Sequence, residues 1–193
     1  MLLNLGALRQ APLVREPFNF TVVKDFIRPA DAAAVRADFP VIADPGLSPV
    51  EATRHGAWFA ELIKELRSEE AARAFSEKFG VNLVGRPQMI TMRGRCAARD
   101  GRLRLLRSAT DLNDMIGEVP PECGTMVAFR RSDKSFHGHE PYEGVRRCVM
   151  VNWMASDFAA RRELFRHRLS ARAKQAFALF KPRRAAKAGS GRG

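Results

Sequence analysis

The chain has 193 residues, 46% of them hydrophobic, and a net charge of +12. That is enough for one domain with a real core, and it excludes a disordered or collagen-like polymer. The charge is not spread evenly: residues 159–193 carry eleven Lys/Arg against one Glu, a net +10, which leaves +2 for the first 158 residues. Basicity therefore belongs to the tail, and nucleic acid is not an expected partner of the body. No window reaches the length of a membrane span. The opening MLLNLGALRQAPLVREPF is a short apolar run broken by Arg9, a poor signal peptide, so cytoplasmic residence is the default expectation. Cys96, Cys123 and Cys148 form no CxxC pair and read as reduced thiols.

In chain order, Pro17 to Asp25 alternates, with Phe18, Phe20 and Val22 on one face and Asn19, Thr21 and Val23 on the other. That pattern predicts a half-buried strand. Arg28-Pro29-Ala30-Asp31 opens a short helix that Pro40 stops. Ser48-Pro49-Val50-Glu51 reads as a capped helix start, and Trp58, Leu62 and Leu66 carry one apolar stripe from it as far as Leu66. His55 lies in its early turns and reads as a surface residue. Ser68 starts a further helix that Gly80 ends. Strands are predicted over 87–93 and 102–107, with Asp111 to Ile116 as a turn or helical turn.

The stretch from Gly124 to Trp153, GTMVAFRRSDKSFHGHEPYEGVRRCVMVNW, carries the chemistry. Met126-Val127-Ala128-Phe129 and Cys148-Val149-Met150-Val151 read as two apolar strands joined by a polar region. His137-Gly138-His139 puts imidazoles at a strand edge beside a glycine, where backbone can approach a ligand. Arg147, ten residues after His137, shares a face with Val149, Val151 and Trp153 by strand alternation. A guanidinium on an apolar face is costly unless an anion meets it. An imidazole near such an arginine suggests an iron atom and a carboxylate co-substrate. The plainer reading is a polar turn and an arginine paired with Glu143.

The residues Gly124-Thr125, Phe129-Arg130-Arg131-Ser132-Asp133, Ser135-Phe136-His137-Gly138-His139, Pro141, Gly144, Arg146-Arg147 and Asn152-Trp153 resemble the C-terminal half of the prolyl 4-hydroxylase-like 2-oxoglutarate/Fe(II) dioxygenases, small bacterial members especially. The resemblance continues, more weakly, upstream to about residue 17. It implies an oxidoreductase with Fe(II), 2-oxoglutarate and ascorbate as cofactors, His137 as a metal ligand and Arg147 as the anchor of the 2-oxoglutarate carboxylate. His139 and Arg146, the near neighbours, rank second for those roles. The substrate, a protein side chain or a small molecule, is not specified.

One departure bears on activity. Members of that family carry His-x-Asp or His-x-Glu ahead of the distal histidine, and the three side chains together form the metal triad. The four histidines here, at 55, 137, 139 and 167, are not followed two residues later by a carboxylate. The resemblance jumps at Asp100-Gly101-Arg102, as though about two strands had been deleted. Asp100 and His139 are the side chains that could replace lost ligands.

The expected fold is therefore mainly β with flanking helices (α+β), an incomplete double-stranded β-helix or jelly-roll core over residues 1–158, with a helical layer over about 29–80. Residues 159–180 read as a basic amphipathic helix and 181–193 as a disordered tail. The expected function is a dioxygenase with a damaged metal site. The alternatives are a non-catalytic dicarboxylate-binding module, or a nucleic-acid or acidic-surface binder acting through the tail. Missing strands would leave an exposed sheet edge through which the chain could form a homodimer.

Overall fold

The first helix forms where no helix is predicted. Asn4 accepts the Ala7 amide on its side chain at 3.0 Å and caps α1 (Leu5–Gln10). Leu2, Leu3, Leu5 and Leu8 are all buried, so the apolar opening is a core element and its signal was an Asn cap ahead of spaced leucines. The computed structural model describes residues 1–43, 46–96, 101–140 and 142–156. Asp100, Pro141, the helix expected over 159–180 and the tail over 181–193 all lie outside the described residues.

Among the described residues there are four α-helices and eight strands, and every strand pairing is antiparallel. The class is α+β. The second helix, α2 (Pro29–Ala37), ends ahead of Pro40, and α4 (Glu69–Phe79) has the predicted Ser68 cap and a left-handed Gly80 at its end.

The helix predicted from Ser48 to Leu66 is a correction. Ser48–Pro49 forms a two-residue strand, β2, Val50–Ala52 is a single 3₁₀ turn, and α3 starts only at Ala57 and runs to Leu66. The reason is tertiary. The Asp38 carboxylate accepts the Trp58 amide at 2.7 Å and the Asp38 carbonyl accepts the Gly56 amide at 3.1 Å. This cap is delivered from the end of α2, and it outcompetes the local box at Ser48. A Cβ on Gly56 would lie 2.2 Å from that carboxyl carbon, so the position requires glycine.

The strands form three separate sheets. β1 (Phe20–Val23) pairs with β6 (Met126–Phe129); β2, β3 (Gln88–Cys96) and β8 (Gly144–Trp153) form the second, in that order; β5 (Met115–Val119), β4 (Leu103–Leu106) and β7 (His137–His139) form the third. The turn predicted over Asp111–Ile116 gives way to strand β5 from Met115, because Leu106 and Met115 pair across the sheet. The two apolar strands of the stretch from Gly124 to Trp153 do not pair with one another: β6 takes β1 and β8 takes β3.

Two apolar clusters hold these layers. The larger lies under the helices, around Leu3, Leu8, Phe59, Phe75, Ile90 and Met92, with Val149, Val151 and Trp153 of β8 and Met126 and Ala128 of β6 packed on it. The smaller is Phe18, Phe20 and Leu105, with Val22, Val127 and Phe129 against it. The β1–β6 sheet is thus apolar on both faces, as period-2 alternation of two hydrophobic sets requires. No helix among the described residues is long and apolar enough to cross a membrane.

Candidate functional site

β7 owes its position to β4, with Leu103 opposite His139 and Leu105 opposite His137. Opposed residues share a face, so both imidazoles project on the side of the buried Leu105. The other face is locked by Arg104, whose guanidinium donates to Glu118 of β5 at 2.8 Å and also to Glu140 just after β7. The first of these hydrogen bonds holds the Glu118 carboxyl below its usual range. Three strands are tied on that face, and the histidines are left on the opposite one.

The two imidazoles have different surroundings. His137 is exposed, its Nδ1 is 3.1 Å from the Ser135 carbonyl, and its ring centroid lies 4.9 Å from that of Phe129. A carbonyl only accepts, so Nδ1 carries the proton and Nε2 keeps the lone pair in the neutral ring. His139 is half-buried. Burial, then the positive charges of Arg146 and Arg93, then His137, push it down from 6.5 to about 4, against a backbone hydrogen bond to Gly101 that acts the other way. It is neutral at pH 7 because cations crowd it and water is partly excluded.

The two consecutive arginines part company at a bulge. Arg93 pairs with Cys148 but Arg95 pairs with Val145, so Arg146 and Arg147 together oppose Gly94. A Cβ on Gly94 would stand 2.7 Å from the Ile42 Cβ and 2.9 Å from its carbonyl, which is why the partner of the bulge is glycine. Bulges re-aim side chains, and here the result is decisive for the site. Arg147 turns to the helical layer, where it donates to the Arg36 carbonyl at 3.1 Å and sits 5.9 Å above the Phe39 ring. A cation at the C-terminal turn of α2 over an aromatic face is a stabilising placement. Arg146 turns the other way, donating to the Gly101 carbonyl beside His139.

The structure therefore brings together His137, His139, Arg146 and Arg93, and it leaves Arg147 on the far side. Of the pairs singled out from the sequence, the second-ranked one, His139 with Arg146, is the one that meets. Arg93 was missed, as was Thr91 on the same face of β3, buried and with its hydroxyl lacking a hydrogen-bond partner. Their signal was two polar residues alternating with Ile90 and Met92 in a strand whose other face is apolar. His55 lies half-buried edge-on to Phe59 with ring centroids 5.3 Å apart, away from this group. Cys123 and Cys148 are in no disulfide among the described residues.

Comparison with protein-family models, curated proteins and solved structures finds no match to this chain.

The fit of the group to its implied ligands differs sharply. Two imidazoles beside two guanidiniums make a field that repels a divalent cation, and among the described residues no three His, Cys, Asp or Glu side chains are grouped to hold one. Iron sites are built from several ligands at fixed geometry. Among the described residues the donor set does not fit Fe(II). Its guanidiniums suit a carboxylate, which they recognise as a fork.

Proposed function

We propose that this chain is a non-catalytic, carboxylate-binding protein on a scaffold of the 2-oxoglutarate/Fe(II) dioxygenase type, with Arg146 as the anion anchor. Arg93 and His139 stand beside it. The observation that carries the reading is the bulge that sends Arg146 to the side of His139 and Arg93: guanidiniums beside a half-buried ring make a partly desolvated positive cluster, the setting in which an anion gains most. On this reading Arg147 is a helix-terminus clamp, and the anchor role passes one residue back.

The scaffold assignment draws its support from the sheets. β3 and β4 lie in different sheets with only residues 97–102 between them. Among the described residues β6, β7 and β8 each keep one edge without a strand partner. Excising two strands from a double-stranded β-helix would leave that pattern. The chemistry that Fe(II) and 2-oxoglutarate would supply in an intact relative, oxidative decarboxylation coupled to hydroxylation, has no ligand set among the described residues to support it. What the chain's own residues do is bind and orient: Arg146 grips the carboxylate, His139 at neutral pH offers an uncharged ring, and the sheet around Leu105 excludes water.

The test is succinate release. Protein supplied with Fe(II), ascorbate and 2-oxoglutarate should yield no more succinate than its His137→Ala and His139→Ala variants. Release that either substitution abolishes would overturn the proposal and restore the oxygenase.

A further inference from the structure

Among the described residues the longest strand is also an edge. β8 runs for ten residues, is paired on one side to β3, and has no strand on its other side among the described residues. Exposed edges of this length are rare because their free N–H and C=O groups template another strand. The usual protections are weak here. The bulge at Arg146 and Arg147 twists only the beginning of β8, and from Cys148 to Trp153 the edge is regular and carries no charged residue. Val145 and Met150 are 63% and 39% exposed.

The two sides of that edge ask for different chemistry. Val149, Val151 and Trp153 look onto the helical cluster, where Trp153 meets Phe75 at 5.0 Å and Phe75 in turn meets Phe26 at 6.0 Å. The unpaired edge of β6 stands over the same cluster through Met126 and Ala128. A strand laid beside β8 would therefore bury apolar side chains on this face. Its other face would look to the side of Cys148, Met150 and, past the bulge, Arg146 with His139 and Arg93. There an acidic side chain would be met by positive charge.

We infer that β8 takes in, by strand addition, an extended peptide of about six residues whose alternate side chains are apolar toward the helices and which carries an Asp or Glu where it passes Arg146. This rests on the carboxylate reading given above and names the source of the carboxylate: a side chain of a protein partner. A second copy of β8 is disfavoured as the occupant, since it would bring Arg146 and Arg147 of its own and no acid between Gly144 and Trp153.

The experiment titrates the full chain, at low salt and in EDTA, into a fluorescein-labelled nine-residue peptide of alternating valine and glutamate. Controls are the valine–lysine peptide, a valine–glutamate peptide N-methylated on every second residue, and succinate followed by calorimetry. The inference expects binding that weakens about tenfold or more with lysine for glutamate, with N-methylation and with Arg146→Gln. It also expects new amide-exchange protection in β8 over Cys148–Trp153. Succinate binding with no peptide binding would overturn the inference and leave the proposed function standing; loss of both would overturn both. Peptide binding that ignores charge, a mass twice 21.6 kDa for the free protein with β8 protected, or a β8 edge already protected in the monomer would also overturn it.

Discussion

His139 offers the sharpest quantitative consequence of the site. The folded protein holds its pKa at about 4 against 6.5 in the unfolded chain, so the unfolded state binds the proton first as pH falls. Stability from this group is complete above about pH 6.5 and drains away as the solution is acidified toward pH 4. For a fully enclosed ring the difference would be worth roughly 3 kcal/mol, and solvent screening around a half-buried one reduces it to about 1–2 kcal/mol. His139→Gln removes the titration and keeps a polar side chain of similar length. Urea unfolding of both proteins between about pH 7.5 and 4.5 isolates the effect, because other titrating groups cancel in the difference. The wild type should lose about 1–2 kcal/mol more than the variant across that window. Parallel slopes, or an imidazole resonance titrating near 6.5, would show that Arg146, Arg93 and burial do not act on the ring as described.

Three further outcomes follow from single contacts. Arg147→Gln should cost about 1 kcal/mol by removing the link from β8 to the end of α2 and Phe39, and leave dicarboxylate binding unchanged; Arg146→Gln should do the reverse, as thermal melts with and without succinate will read. Gly94→Ala drives a methyl into Ile42 side chain and backbone, and its denaturant midpoint should fall by an amount on the order of 1–3 kcal/mol. Asp38→Ala removes the cap of α3, with an expected loss of about 1 kcal/mol in the same assay and weaker amide protection at Trp58.

Local rules made part of this fold legible. Ser68 and Gly80 bracket α4 because a side-chain cap and a left-handed stop act within a few residues, and β6 was visible in MVAF alone. What escaped was decided at a distance. The break between Ser48 and Ala57 depends on a carboxylate at Asp38, on another helix. The start of β5 depends on Leu106 finding Met115. At the site, strand alternation placed Arg147 on the face of Val149, Val151 and Trp153, but it could not foresee that a bulge opposite Gly94 would send Arg146 to His139. Nor could it show that the Arg36 carbonyl of α2 and the Phe39 ring just beyond that helix would satisfy Arg147 without an anion. A register slip changes which of two adjacent arginines faces the histidines, and no pattern within GVRRCV reveals it.

The central claim is that the cluster around Arg146 takes a carboxylate and not a metal. Calorimetric titration of succinate and of 2-oxoglutarate into the protein in EDTA addresses it most directly, with Arg146→Gln alongside. The account predicts binding that persists under chelation and disappears in the variant. Binding that appears only when Fe(II) or another divalent ion is added back, and that survives loss of Arg146, would contradict it.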